Sequence, residues 1–173
     1  MSPFNRLRLL HWLVAAFFLF GYLSGDDGGL LHVWLGYGLI AVLLLRLLAH
    51  LAKLRGFPPL LPSAGQWQAR GVPLLGKLLT VLLLSGAVLT GGSGLMMVDN
   101  ARVLGLPAAQ TADAAMASAD GEEGEASDIA KEVHEASANL TLLLAGLHVA
   151  YLLCYRRHMV LTMIRGQARR SRA

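Results

Sequence analysis

Residues 133–155 read VHEASANLTLLLAGLHVAYLLCY. From Ala136 onward the stretch is apolar over about 20 residues, the length that crosses the hydrocarbon core of a bilayer. It holds two histidines, His134 and His148, 14 residues apart. At about 100° per residue this separation falls about 40° short of whole turns, so the two rings share one face, about 21 Å apart along the axis. Ionisable groups at such depths are costly, and they mark function by default.

Three further apolar runs precede this one, at about 9–24, 30–52 and 72–91, with the last at about 136–155. The chain has 173 residues and is 55% hydrophobic, with a mean hydropathy of +0.53. As buried helices of a soluble domain, four such runs would leave too little polar surface to solvate them. The runs are also too long and continuous for barrel strands, and a bilayer admits only helices or closed barrels. The expected fold is an all-α membrane protein: four transmembrane helices in an up-down bundle, one domain over residues 1–173. The first run follows Arg6 and Arg8 in the manner of a signal peptide. However, Gly21-Tyr22-Leu23-Ser24-Gly25 is a poor cleavage site, and His11 and Trp12 are unusual at the head of a signal.

Charge placement orients the bundle. Lys and Arg at 6, 8, 46, 53, 55, 70, 77, 156, 157, 165, 169, 170 and 172 fall on or near one side, and only Arg102 and Lys131 on the other. All 11 acidic residues lie in the two loops of that other side. Cytoplasmic loops collect Lys and Arg. Both termini and the 53–72 loop are therefore expected in the cytoplasm, with the tight turn at 25–29 and the acidic loop at 92–135 in the periplasm of a bacterial inner membrane. The basic tail reads as a topology signal that also meets anionic lipid, and no nucleic-acid partner is expected. Pro58, Pro59 and Pro62 suit an irregular inner connection. The third span is expected to end in Gly91-Gly92-Ser93-Gly94. Residues 112–127, rich in Ala, Gly and acid, read as weakly helical or disordered, and 128–134 as a possible start of the fourth helix outside the membrane. Cys154 is the only cysteine, and no Cys-x-x-Cys-His occurs, which excludes covalent c-type haem.

Four of the six histidines form two level pairs. His32, near the outer end of the second span, is level with His134. His11, toward the inner end of the first, is roughly level with His148. A b-type haem iron takes two axial imidazoles from opposite sides, and bundle cores supply them from facing helices. The other reading of these four is helix-to-helix hydrogen bonding or a proton relay. His50 lies about 27 Å below His32, too deep to match the 21 Å spacing of the fourth span. His50 and His158 both read as interfacial. Arg46, 14 residues after His32, reaches the inner layer, where it either pairs with a haem propionate or snorkels to the interface. Gly36 and Gly38 either admit a flat porphyrin or serve helix packing.

Several segments resemble the bacterial cytochrome b561 family and its relative, the cytochrome b subunit of nickel-iron hydrogenase. They are Leu10-His11-Trp12-Leu13, Leu31-His32-Val33-Trp34-Leu35-Gly36-Tyr37, Arg46-Leu47-Leu48, and Val133-His134-Glu135-Ala136 with Ala138-Asn139 and Gly146-Leu147-His148. The second span is similar to the hydrogenase-type subunit, and the third and fourth to free-standing b561. The acidic insert is longer than the family pattern. The resemblance implies two non-covalent, bis-histidine haems b, held by His32 with His134 and by His11 with His148. It implies electron transfer between quinone and a periplasmic partner: a hydrogenase, a c-type cytochrome or superoxide itself. The expected function is transmembrane electron transfer in a respiratory chain. The alternatives are a superoxide:quinone oxidoreductase, with Arg102 or Lys131 attracting the anion, and a haem-free anchor or transporter subunit. The acidic loop reads either as a dock for a basic soluble cytochrome or as a solvated spacer.

Overall fold

A computed structural model describes residues 3–25, 29–54, 62–69, 71–98 and 122–165. The helices are α1 (Pro3–Leu23), α2 (Leu30–Leu51), α3 (Ala64–Ala69), α4 (Val72–Met97), α5 (Glu122–Tyr155) and α6 (Arg157–Arg165). Four segments are long and apolar enough to cross a membrane: Pro3–Leu23, Leu30–Leu51, Val72–Met97 and Asp128–Tyr155. Only 6 to 17% of each spanning window is buried inside the chain. Residues such as Phe20, Leu48, Val88 and Leu143 therefore turn outward, as they do when the solvent is hydrocarbon.

The bundle consists of two helical hairpins, α1 with α2 and α4 with α5, joined where α2 meets α4. Small residues set the tight α4–α5 contact. A Cβ added at Gly76 would strike Tyr151, one at Gly86 would strike Thr141, and one at Gly94 would come within 2.9 Å of the His134 ring. These three contacts keep one antiparallel register along both helices. Tyr151 closes the lower end by donating its hydroxyl to the Val72 carbonyl at 2.9 Å. Without a hydrophobic drive between helices in lipid, such backbone approach and interhelical hydrogen bonding replace it. In the first hairpin Gly38 lies against the Phe17 ring. Leu39, Leu43 and Ala87 form the buried centre, with Val14, Phe17, Phe18 and Leu84 packed around them.

The helix ends follow local chemistry. Pro73 lies in the first turn of α4, where no intrahelical N–H is lost, and Gly71 before it takes φ +85, open mainly to glycine. At the end of α2, the Leu54 N–H reaches the Ala49 carbonyl and the Lys53 N–H reaches the His50 carbonyl, with Lys53 at φ 49. This is a Schellman closure with lysine in the position usually given to glycine.

Several expected boundaries move. α1 starts at Pro3, six residues before the apolar run. α4 continues through Gly91-Gly92-Ser93-Gly94 to Met97, because glycine inside lipid is tolerated where neighbouring helices pack closely. α5 begins at Glu122, so residues 122–135 of the expected outer loop are helix. The inner connection contains the short α3, and a further helix, α6, follows α5 after a break at Arg156. The turn residues 26–28, the Pro58-Pro59 pair and residues 99–121 of the acidic loop, Arg102 among them, lie outside the described residues.

Candidate functional site: two layers of histidine

The outer layer joins the first turn of α2 to the middle of α5. The His32 and His134 rings stand 5.9 Å apart between centres, with their planes at 83°. Each imidazole is held from behind through Nδ1. For His32 the acceptor is the Gly21 carbonyl at 2.9 Å, with Ser24 Oγ at 3.4 Å. Gly21 lies in the last turn of α1, where carbonyls have no helical partner of their own. For His134 the acceptor is the Thr90 carbonyl of α4 at 2.8 Å, with Ser93 Oγ at 3.5 Å. A carbonyl has two lone pairs, so Thr90 serves its own helix and the ring together.

Polar side chains around His134 steady this arrangement. Ser137 Oγ bonds the His134 carbonyl at 3.1 Å and Thr90 Oγ1 at 2.9 Å. Ser93 bonds the Leu89 and Thr90 carbonyls. Thr90, Ser93 and Ser137 are all buried. Tyr22 donates to Asn139 Oδ1 at 2.7 Å, tying α1 to α5 near this layer. Gly25 and Gly94 leave room beside the two rings, and a Cβ at Gly36, one turn below His32, would meet nothing within 4 Å. The two glycines of the Gly36-Tyr37-Gly38 motif therefore separate: Gly38 packs against Phe17, and Gly36 borders open space.

The donor set fits a haem iron. A histidine whose Nδ1–H donates to a carbonyl is fixed as the tautomer with a lone pair on Nε2, the metal-binding form. Two imidazoles bonded through Nε2 to opposite sides of one metal stand about 6 Å apart between ring centres, given metal–nitrogen bonds of about 2 Å. The observed 5.9 Å fits that separation. Among the described residues no group of three or more His, Cys, Asp or Glu side chains converges. Two imidazoles suit an iron whose other four positions are filled by a porphyrin, whereas a site built from side chains alone needs more donors.

The inner layer draws on all four spans. His148 of α5 is half-buried, and its Nδ1 is buried without a hydrogen-bond partner. His11 of α1 lies within electrostatic reach of it, with part of its surface exposed and its ring edge-on to Trp12 at 5.8 Å. Arg46 of α2 follows His32 by the same 14 residues that separate His148 from His134. It lines an apolar cleft with Ile40, Leu43, Leu84 and Val88. Lys77 of α4 lies within electrostatic reach of Arg46. From the sequence Lys77 reads only as a topology charge, although its position five residues inside an apolar run is a visible signal. Ser24, Thr90, Ser93 and Ser137, hydroxyls that stand out in apolar spans, carry no assigned role in that reading. His50 is half-buried in the closing turn of α2, and His158 is exposed on α6. Neither makes a ring contact with another histidine among the described residues.

No individual curated protein and no solved structure matches the chain. The family model for prokaryotic cytochrome b561 matches residues 5–166, nearly its whole length and all four spans. The chain therefore belongs to the prokaryotic cytochrome b561 family, multi-pass membrane proteins that transfer electrons by means of b-type haem.

Proposed function

We propose that this cytochrome holds two haems b, one per layer, and exchanges electrons between membrane quinone and a redox partner on the acidic side. The single observation that carries the reading is the His32–His134 pair: ring centres 5.9 Å apart with planes near perpendicular, each ring with its Nδ1 occupied by a backbone carbonyl. His32 and His134 hold the outer iron, and His11 and His148 the inner one. Bound haem supplies reversible one-electron chemistry at its iron. The protein supplies ligands, orientation and exclusion of water. Bis-imidazole ligation leaves no open coordination position, which suits transfer of electrons over binding of oxygen.

Arg46 and Lys77 concentrate positive charge at the inner layer, where the carboxylates of haem propionates offset it; a guanidinium can bind one in two-point fashion. On the outer side, Asp128, Glu132 and Glu135 are exposed along the turns of α5 around His134. They offer negative charge to a soluble partner. A basic c-type cytochrome fits it best, since complementary charge speeds encounter.

The test is a reduced-minus-oxidised optical spectrum of the purified chain, with haem quantified per polypeptide, for the wild type and His134→Ala. Two haems b per chain, falling to one in the variant, is the expected result. A colourless protein, or haem content indifferent to the substitution, would return the histidines to helix packing or proton relay.

A further inference from the structure

α6 has no role in either histidine layer, yet it is built in a distinctive way. The chain leaves helical geometry at Arg156 and starts again at Arg157, with the Met159 N–H bonded to the Arg156 carbonyl at 2.7 Å. At about 100° per residue, Met159, Val160, Leu161, Met163 and Ile164 sweep one side of α6, with Arg157 between Ile164 and Leu161, and His158, Thr162 and Arg165 gather on the other. The apolar side is itself divided. Val160 and Met163 are half-buried, and the Met163 carbonyl lies 3.5 Å from the indole nitrogen of Trp12 on α1. Met159, Leu161 and Ile164 are exposed, at 45, 49 and 62%.

The charge around α6 has one sign. Arg156, Arg157 and Arg165 flank it, Arg8 stands one turn before Trp12, and no acidic residue follows Glu135 in the sequence. α6 is also continuous with a membrane span, so it starts where α5 reaches the edge of the hydrocarbon. A helix with an exposed apolar flank, a polar opposite flank and flanking arginines lies in the plane of a membrane interface, and it binds best where the lipid is anionic. Arginine stems reach along apolar surface while their guanidinium groups stay with the headgroups.

We propose that α6 is an interfacial helix that docks on anionic phospholipid headgroups, with Leu161 and Ile164 in the acyl boundary and Arg156, Arg157 and Arg165 on the phosphates. Trp12 pins it to α1 one residue from His11. This assignment is independent of how many haems the chain carries.

The full-length protein, with Cys154→Ser to remove its free thiol, is reconstituted in vesicles and spin-labelled at Ile164→Cys or Thr162→Cys. Collision with oxygen, which partitions into the bilayer, is compared with collision with a water-soluble nickel chelate. In phosphatidylglycerol vesicles the ratio at position 164 is expected to exceed that at 162 severalfold. The contrast should shrink in phosphatidylcholine vesicles, and again in Arg157→Gln/Arg165→Gln. Equal ratios at both positions in every vesicle would overturn the interfacial placement. A contrast identical in both lipids and both charge states would overturn the anionic headgroups as its partner.

Discussion

The two candidate histidine layers are built from the same residue type and share α5, but the protein supports them differently. In the outer layer both imidazoles have a backbone carbonyl behind Nδ1 and a serine hydroxyl within 3.5 Å. In the inner layer His148 Nδ1 has no such partner, and two cations, Arg46 and Lys77, lie within electrostatic reach of each other on α2 and α4. A carbonyl behind an imidazole raises its basicity as a ligand and so favours the more positively charged metal. Nearby cations favour the less positive one to the extent that propionates leave their charge uncompensated. On the proposed two-haem reading, the outer site would lose an electron readily and the inner site would keep it. A shared residue type, histidine, hides this difference.

The largest effect expected from the comparison is on haem content. His32→Ala and His134→Ala should remove the same haem and give superimposable spectra, and His11→Ala and His148→Ala should remove the other. A His11→Ala protein whose remaining spectrum matches that of His134→Ala would break the assignment of layers. Next in size is the separation of potentials. A redox titration of the wild type should resolve two waves, and the wave lost in His134→Ala should be the one at lower potential. Loss of the higher wave would show that the carbonyls do not govern the outer site.

A smaller, local effect concerns room beside the ring. Gly94→Ala places a Cβ 2.9 Å from His134 Cε1, and the displaced ring should cost about 1–3 kcal/mol, read as a lower unfolding temperature with weakened outer-haem retention. Gly92→Ala meets nothing within 4 Å and should leave both unchanged. Equal behaviour of the two variants would remove Gly94 from the site. The smallest effect is expected of Thr90→Val, which keeps the carbonyl that holds His134 and deletes only the hydroxyl bonded to Ser137. Interhelical hydrogen bonds in bilayers are worth about 0.6 kcal/mol on average, so the melting temperature should fall slightly while the spectrum stays intact.

Much of this was legible along the chain. The four spans follow from length and hydropathy, and the meeting of His32 with His134 from their level positions on the second and fourth spans. The errors fall where a helix is governed by its neighbours. Gly91-Gly92-Ser93-Gly94 reads as a terminator in water, yet α4 runs through it. Ile40 abuts Gly91 at 3.0 Å, His134 fills the space at Gly94, and the hydroxyl of Ser93 bonds back to Leu89. Likewise α6 was missed because residues 157–165 are too short and too mixed to stand out by hydropathy, although their polar and apolar residues alternate with helical period.

By itself, the sequence determined the number of spans, the segregation of acidic from basic segments along the chain, and the position of each histidine along its helix, since rise, period and hydrophobic length are local properties of one helix. The tertiary structure alone decided which imidazole nitrogen faces a carbonyl and which glycine is packed or open. It also decided that Lys77 stands near Arg46. Each of these depends on distances between helices far apart in the chain, and side-chain volumes and orphan carbonyls set those distances only when the hairpins come together.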